Sequence, residues 1–406
     1  MTEFKPFKGI LYNSDKVSLA DVIAPPYDVV NADDRQHLCQ KSPYNCIRIE
    51  LPDKSLLPGI DPYLQAAKEF DSWQAEDILV RDNLPSFYIY RMTFKSHDEN
   101  GTLSTTGVIG ALGLDKSAKD VLPHEQTMPK PKGDRLDLLR AAKANTSPIW
   151  VLSLAEGLAK LCQLVTENDV PIESATDENE TLHELWTVSD SAQIKEIENL
   201  ITSTPLIIAD GHHRYETALH YQAERTDSDS TADREAYDYL MAFAVELTED
   251  ELVVNAIHRL LTELPTDFDI LAALESNFDL TPGPESAIDL EKQLVSKESL
   301  GLITKSGNYF LKPHMTLLQK DQTGLDSARL DIALEQFPTH NLTYQHGAMN
   351  IYKSVRDDNA QFGILLRPAT VSQIADTAHS AKRMPPKTTF FHPKPRTGMV
   401  FRSLED

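Results

Sequence analysis

The residues best suited to chemistry in this sequence lie together at one turn, in the segment PLIIADGHHRYETALHY at 205–221. An apolar run meets a DGHHR motif there, where helical spacing begins, and the motif comprises Asp210, Gly211, His212, His213 and Arg214. A helix N-terminus presents unpaired backbone N–H groups and a partial positive charge, and a glycine lets a ligand approach the backbone. Imidazole and guanidinium groups add donors that suit phosphate oxygens. The motif therefore predicts a phosphate site, in which Asp210 caps the helix or holds Mg²⁺.

Two other interpretations of the motif stay open. The aspartate can simply cap the helix while the histidines are ordinary polar residues. Alternatively, His212, Glu216 and His220 share one helical face and could bind a metal, although neither H-E-x-x-H nor H-x-x-E-H is present. The sequence also lacks G-x-x-x-x-G-K-S/T and has no G-x-G-x-x-G at a strand-to-helix turn. A nucleotide would therefore have to bind by a different route.

A second polar segment, LPHEQTMPKPKGDR at 122–135, suggests acid–base chemistry. Glu125 stands beside a Pro- and Lys-rich loop, an arrangement that suits a general base acting on a hydroxyl. Lys130, Lys132 and Arg135 are predicted to cover phosphates. The alternative is an exposed loop with surface charges.

Two further segments are candidates for the same pocket. Pro25 and Pro26 fix an extended path before Asp28, which predicts either a rigid structural element or a carboxylate that lines the site. Residues 380–402 hold six cations and no acid, so this basic island is predicted to face the pocket. The side chains predicted to reach inward are Lys387, Lys394 or Arg396.

Composition limits the partners and the compartment. The net charge of −23 disfavours nucleic acid and anionic membranes as partners, and the partner expected below is a small-molecule substrate. Apolar runs are far shorter than the roughly 20 residues of a membrane-spanning helix. The three cysteines lack C-x-x-C spacing, which favours the reducing cytoplasm over a disulfide framework or a structural zinc site. The oligomeric state is left open.

Intermixed strand and helix patterns predict an α+β, or mixed α/β, architecture. The segments SFYIYRMTFK and TTGVIGALGL are predicted strands on either side of an HDENG turn. DYLMAFAVEL and LVVNAIHRL flank TEDE and predict a hairpin. The pattern of predicted helices and strands changes near residue 265, which predicts a domain at 1–265 and a smaller α/β subdomain at 266–406. The last predicted strand, GMVF, is a candidate to return to the first domain.

Several ordered blocks resemble the bacterial and archaeal family labelled domain of unknown function 1015. They are IAPPYDVV, PYNCIRIELP, LPHEQTMPKPKGDRLDLLRAAKANTSPI, ADGHHRYETAL, AIHRL and MPPKTTFFHPKPRTGMVF. The segment ADGHHRYETAL also resembles the phosphate-gripping turn of the ParB and sulfiredoxin superfamily, and its D-G-H-H-R is similar to that of the free serine kinases in that superfamily. The resemblance implies a ParB/sulfiredoxin-like nucleotide-binding core, a loop that holds nucleotide phosphates, and Glu125 as the base.

Motif and resemblance lead to one hypothesis and two alternatives. The hypothesis is a Mg²⁺-dependent phosphotransferase that uses ATP or ADP to phosphorylate a small hydroxylated metabolite, with serine as the first candidate. The first alternative is a nucleotide-binding regulatory protein without turnover. The second is a metal-dependent hydrolase built on His212, Glu216 and His220.

Overall fold

The computed structural model describes residues 2–55, 59–96, 101–117, 119–123, 132–226, 235–321, 323–380 and 384–405. By its contacts the chain divides into two compact units. Unit 1 takes the described residues up to Leu252 and resumes at Pro393, and unit 2 includes Val253–His392. This division lies at residue 253, whereas the boundary predicted from the sequence pattern lies near residue 265. That the two parts are independent domains stays a prediction.

Helices and strands alternate along the chain, which confirms the predicted mixed α/β class. The helices are α1 (Leu19–Val22), α2 (Ala32–Lys41), α3 (Ile47–Glu50), α4 (Pro62–Ala75), α5 (Lys132–Ala142), α6 (Leu158–Thr166), α7 (Ser191–Thr202), α8 (His212–Thr226), α9 (Ile270–Leu274), α10 (Ala287–Lys297), α11 (Met315–Lys320), α12 (Asp326–Leu334), α13 (Ala348–Arg356) and α14 (Val371–His379). Single 3-10 turns occur at Tyr27–Val29 and Ala236–Asp238. Within the part of the chain that is described, no helix combines the length and the apolar character needed to cross a membrane.

The strands are short and mostly apolar. They are β1 (Phe4–Lys5), β2 (Gly9–Tyr12), β3 (Leu79–Arg81), β4 (Phe87–Lys95), β5 (Thr102–Gly113), β6 (Val121–Pro123), β7 (Ala144–Asn145), β8 (Ile149–Ser153), β9 (Glu173–Thr176), β10 (Leu182–Val188), β11 (Leu206–Asp210), β12 (Tyr239–Glu246), β13 (Val253–Ala256), β14 (His258–Thr262), β15 (Phe278–Pro282), β16 (Leu300–Ile303), β17 (Asn308–Pro313), β18 (Asn341–Gln345), β19 (Phe362–Leu365), β20 (Thr389–His392) and β21 (Phe401–Ser403).

Unit 1 is organised around a large mixed sheet in the order β6-β11-β8-β12-β5-β4-β10-β9, with β1 also paired to β5. Strands β6 and β11 run parallel, as do β8 and β12, and the other neighbours are antiparallel. β8 and the first four residues of β11 are entirely buried, because both strands are apolar along their length and lie inside the sheet. Side chains of α6, α7 and α8 pack onto the same core. The sheet thus holds the end of β11, where the DGHHR motif begins, on a rigid base.

A second, small sheet in unit 1 joins distant parts of the chain in the order β3-β2-β21-β7. β21 pairs with β2 and β7, so the end of the chain is tied to its beginning. An isolated antiparallel bridge between Ala24 and Thr397 continues this link. Both partners of the bridge stand close to residues of the predicted site.

Unit 2 is a separate α/β unit with its own core. Its main sheet has the order β15-β17-β16-β19-β14-β18, and β13 pairs with β20. Leucines and isoleucines of this sheet pack against side chains from α9, α10, α12 and α13. The hairpin predicted from DYLMAFAVEL and LVVNAIHRL is therefore wrong, because β12 pairs with β5 and β8 in unit 1, while β13 pairs with β20 here.

Candidate functional site

The turn that carries the DGHHR motif joins β11 to α8. β11 is buried until its last residue, Asp210, and α8 begins at His212. The register of β11 against β8 shifts between Ile208 and Asp210, a β-bulge that changes the direction in which the carboxylate leaves the strand. At any helix start, the first-turn N–H groups point out of the helix and not to a carbonyl of the same helix. A carboxylate and a helix N-terminus therefore stand side by side at the end of a buried strand.

Gly211 makes this turn possible in two ways. Its φ of +94° is a backbone conformation that residues with a Cβ rarely adopt. A Cβ on Gly211 would also lie 2.8 Å from Cγ2 of Ile149 and 3.0 Å from Nη2 of Arg214. The sequence predicted that this glycine makes room for a ligand, whereas the structure shows that it makes room for the Arg214 side chain.

Asp210 is held between two cations. Its Oδ1 lies 2.7 Å from Nζ of Lys394, and its Oδ2 accepts a hydrogen bond from Nη2 of Arg214 at 3.0 Å. Burial alone would raise the pKa of this carboxyl, but the charges of Lys394 and Arg214 outweigh burial and lower the pKa well below its usual range. Asp210 is therefore ionised, and it acts as an anchor for two cations.

Lys394 bridges two carboxylates. Besides Asp210, its Nζ donates to Oδ2 of Asp28 at 2.8 Å. Burial would lower the pKa of this ammonium, but the two carboxylates raise it above the ordinary value, so Lys394 stays charged. Among the three side chains that the basic island was predicted to send toward the motif, Lys394 is the one that reaches Asp210. Asp28 also reaches the site, which was one of its two predicted roles.

Arg214 points into the protein. Its Nη1 donates to Oγ of Ser147 at 2.9 Å and to the carbonyl of Pro148 at 2.6 Å. Its Nε–H is buried and has no hydrogen-bond partner among the described residues. These contacts join the β11–α8 turn to the start of β8, so in this structure Arg214 braces the turn, where the sequence had predicted a phosphate-gripping guanidinium.

Behind Arg214 lies a buried polar cluster centred on Glu50. The Glu50 carboxylate, 1% exposed, accepts hydrogen bonds from the hydroxyls of Thr146 and Ser147. Arg135 donates to the Glu50 carbonyl at 2.7 Å, and its guanidinium stacks on the Tyr27 ring with a centroid distance of 4.2 Å. The cluster links α3, α5 and the segment before β8 beneath the turn.

Arg135 is therefore placed differently from the phosphate-covering residue that the sequence predicted. Its side chain is 5% exposed, and it pairs with Asp134 in the first turn of α5. Burial would raise the pKa of Asp134, but Arg135 and a hydrogen bond from Lys54 lower it to about 2. A phosphate could reach the Arg135 guanidinium only by displacing these carboxylate partners.

A cavity of about 40 Å³ lies beside this cluster, lined in part by Glu50, Arg135, Ser147 and Arg214. It has room for one or two waters and not for a nucleotide. A nucleotide bound at the DGHHR turn would therefore have to lie outside this cavity.

The remaining predicted residues divide into two groups. His212 and His213 are half-buried in the first turn of α8, and the positive charge of His212 contributes to the low pKa of Asp210. Glu125 and Lys130 lie outside the described residues, and Lys132 is described only as the first residue of α5. The base and the basic loop thus stay predictions.

A metal site does not fit the described geometry. No group of three or more His, Cys, Asp or Glu side chains suited to a metal ion occurs in the described ranges, which include His212, Glu216 and His220. Both oxygens of Asp210 already face a side-chain cation, so Mg²⁺ bound there would be repelled by the charges of Lys394 and Arg214. The hydrolase alternative therefore has no support at this helix, and we assign no resident metal to Asp210.

Sequence reasoning missed the residues that support the turn from behind. Glu50 stands in the apolar stretch IRIELP, and an acid in such a stretch is a usable sign of a buried polar cluster. Ser147 carries no comparable signal, because its role depends on the neighbour that the fold brings to it.

Family membership follows from the sequence as a whole. The chain belongs to the family described as "Protein of unknown function (DUF1015)", whose model matches residues 4–333. No curated protein matches the sequence.

Among solved structures, the chain is similar at low identity to free serine kinase structures and to SbnI. A free serine kinase in complex with AMP shares 12% identity at a TM-score of 0.37, over 70% of this chain and 89% of that chain. A mutant of a free serine kinase in complex with ADP shares 12% identity at a TM-score of 0.38, with the same coverage. SbnI with C-terminal truncation from Staphylococcus aureus shares 9% identity at a TM-score of 0.40, over 72% and 86% of the two chains. The predicted family resemblance is thus confirmed.

Proposed function

We propose that this protein is a phosphotransferase that moves a phosphoryl group from ATP or ADP to a small hydroxylated metabolite, with free serine as the first candidate. The observation that carries the proposal is the charge cluster at the DGHHR turn. There, three distant segments bring Asp28, Asp210 and Lys394 together beside the N-terminus of α8. A helix N-terminus with an adjacent fixed cation is a suitable receptor for phosphate.

Phosphoryl transfer asks mainly for positioning and charge neutralisation. In the proposed site, the first-turn N–H groups of α8 and the imidazoles of His212 and His213 bind phosphate oxygens. Lys394 supplies a fixed positive charge next to them, and Asp28 and Asp210 hold its ammonium in place. Arg214 keeps the turn in the required conformation from behind.

Glu125 is the proposed base, a role that comes from the resemblance of its segment to the free serine kinases. The acceptor hydroxyl oxygen forms a new bond to the terminal phosphorus, and the bond from that phosphorus to the nucleotide oxygen breaks. Glu125 takes the hydroxyl proton, and the nucleotide leaves with one phosphate fewer. Magnesium in such enzymes is commonly held by substrate phosphates, so Mg²⁺ is proposed to accompany the nucleotide and no step is assigned to it here.

Calorimetric titration with ATP and ADP, with and without Mg²⁺, tests the nucleotide part of the proposal. Mass spectrometry of incubations with serine and other hydroxylated acceptors then tests turnover. We expect nucleotide binding and a phosphorylated product. A protein that binds neither nucleotide would refute the proposal, and one that binds nucleotide without forming any product would favour the regulatory alternative.

The variant Glu125→Gln separates chemistry from binding. A general base contributes roughly 10²–10⁴-fold to rate, so we expect nucleotide affinity to be kept and product formation to fall at least about a hundredfold. Glu180→Gln is the control, because Glu180 is exposed and pairs only with the surface residue Lys95 in the contacts described. Full activity of Glu125→Gln would assign the base to another residue, with Asp28 the next candidate.

A further inference from the structure

Backbone hydrogen bonds hold the segment that carries Lys394 in place a few residues after that lysine. Pro393 and Pro395 flank Lys394 and restrict its backbone. At Thr397 the segment forms the antiparallel bridge with Ala24, through backbone hydrogen bonds of 3.1 and 2.9 Å in the two directions. The bridge sets the two segments side by side.

Lys394 and Asp28 lie close to this bridge in their two segments. Lys394 precedes Thr397 by three residues, and Asp28 follows Ala24 by four. Their side chains meet at 2.8 Å. The bridge therefore holds the backbone near both residues and limits where the ammonium can lie.

Arg396 is the side chain that anchors the segment. It is 5% exposed, and its Nε donates to Oδ2 of Asp177 at 3.0 Å while its Nη2 donates to Glu178 at 2.9 Å. Burial would raise the pKa of Asp177, but the hydrogen bond from His183 and the charge of Arg396 lower it below its usual range. The ion pair is therefore fully charged at neutral pH.

A hydrogen-bond circuit closes around this ion pair. The Asp177 carboxylate can only accept, so Nε2 of His183 carries the ring proton and donates to it at 3.0 Å. Nδ1 of the neutral ring then accepts from the hydroxyl of Tyr90 at 2.8 Å, and that hydroxyl accepts the backbone N–H of Arg396. Burial lowers the pKa of His183, in agreement with a neutral ring. The circuit begins and ends at Arg396, which fixes both its backbone and its side chain.

A lysine side chain has a flexible four-carbon stem, and holding its ammonium between two carboxylates costs side-chain entropy. That cost is smaller when the backbone two residues away is already fixed. We infer that Arg396 is a positioning residue, whose buried ion pair with Asp177 sets Lys394 between Asp28 and Asp210. The inference deepens the proposed function, on which its role in nucleotide binding rests.

Reductive methylation of lysines with formaldehyde, followed by peptide mass spectrometry, tests the positioning directly in the ligand-free protein. An amine reacts in its unprotonated form, so each unit of raised pKa slows labelling about tenfold. We expect Lys394 to react at least about tenfold more slowly than Lys95, whose side chain is 71% exposed. In Arg396→Gln we expect the Lys394 rate to rise at least about fivefold, and Arg396→Lys should restore much of the protection.

Arg402→Gln is the matched control. Arg402 is equally buried in the same C-terminal segment, but it donates to Asn145 and to backbone carbonyls rather than to a carboxylate. A general loss of stability would raise the Lys394 rate in both variants, whereas positioning by Arg396 raises it in Arg396→Gln alone. If Arg396→Gln does not fold, Glu178→Gln weakens the contact with Arg396, together with a longer ion pair to Lys41, at a half-exposed site and should raise the rate about twofold.

Two results would overturn the inference: an unchanged Lys394 rate in folded Arg396→Gln and in Glu178→Gln, or an equal rise in Arg402→Gln. Titration with ADP forms the second arm, and there we expect Arg396→Gln to bind more weakly than Arg402→Gln. Equal ADP affinity in the two variants would also count against the inference. Failure of the unaltered protein to bind ADP would refute the proposed function alone, because the labelling result does not depend on a ligand.

Discussion

Lys394→Met is the change that bears most directly on the charge cluster. Methionine keeps most of the length of the side chain and removes the ammonium that lies 2.7 Å from Asp210 and 2.8 Å from Asp28. Removal of one partner from a buried ion pair costs about 3–5 kcal/mol, because the remaining charge is left uncompensated. Asp210 keeps its ion pair with Arg214, and Asp28 is partly exposed. We therefore expect the free energy of unfolding at pH 7 to fall by about 3 kcal/mol.

The loss should depend on pH in a defined direction. The pKa of Asp210 is lowered in the folded protein, so its stabilising contribution is complete above the ordinary aspartate pKa of about 3.9 and is lost as pH falls toward the folded value. Protonation of the carboxylates makes Lys394 less important. The difference between Lys394→Met and the unaltered protein should therefore be full at pH 7, begin to decrease below about pH 3.9, and be clearly smaller at about pH 2, as the pH approaches the folded pKa.

Differential scanning calorimetry can measure this effect, and it can separate the transitions if the two units melt apart. A change of one kcal/mol in the free energy of unfolding corresponds to roughly 2–4 °C in the melting temperature of a unit of this size. The melting temperature at pH 7 is therefore expected to fall by about 6–12 °C. Lys143→Met is the control, because Lys143 forms an exposed ion pair with Glu405, and exposed ion pairs contribute little to stability. A fall in melting temperature no larger than that of the Lys143→Met control would refute the reasoning. So would an equal fall in melting temperature at both pH values.

Three further changes probe the same unit. Gly211→Ala should cost about 1–3 kcal/mol through its positive φ and the contact with Arg214, and an unchanged melting temperature would contradict the assignment of the turn. Arg135→Met should lower stability by about 3 kcal/mol and leave ADP affinity unchanged, since this side chain is bound within the protein; a selective loss of affinity in calorimetry would restore its predicted phosphate role. Burial raises the pKa of Glu251 to about 7, so the folded protein holds a proton that the unfolded chain releases above about 4.3, and stability falls as pH rises between these values. Glu251→Gln should therefore be more stable than the unaltered protein by about 1–2 kcal/mol at pH 8 and equal to it at pH 4, and melting curves that stay parallel across this range would exclude the effect.

Local signals in the sequence predicted local structure well. The aromatic and β-branched segments around HDENG correspond to β4 and β5, which pair along most of their length. The hairpin predicted around TEDE failed for a physical reason. Each of its two segments is a good strand, but β12 is buried and pairs antiparallel with β5 and parallel with β8, so its partners are distant in sequence. Alternation of residues reports that a strand exists and not which strand it pairs with.

The same limit applies to the site. The turn at Asp210 could be located because glycine, apolar strand and helical spacing are adjacent in sequence. The residues that pair with the charged side chains of this turn could not be located from the sequence. The reason is distance along the chain, because 366 positions separate Asp28 from Lys394 and 67 separate Ser147 from Arg214. An arginine in a sequence carries five donors, and only the fold decides whether they face a ligand or the interior.

The arrangement of charges at the turn has a consequence for affinity. Asp28 and Asp210 oppose Lys394 and Arg214, so these four side chains carry no net charge, in a protein whose overall charge is −23. Net positive charge from these four side chains therefore does not attract a nucleotide to the site. Binding has to come from the direction of the groups: N–H donors at the start of α8, and a lysine ammonium held at one point by two carboxylates. Such a site favours a ligand that brings its own neutralising cation, and for this reason the comparison of ADP with and without Mg²⁺ is the informative titration.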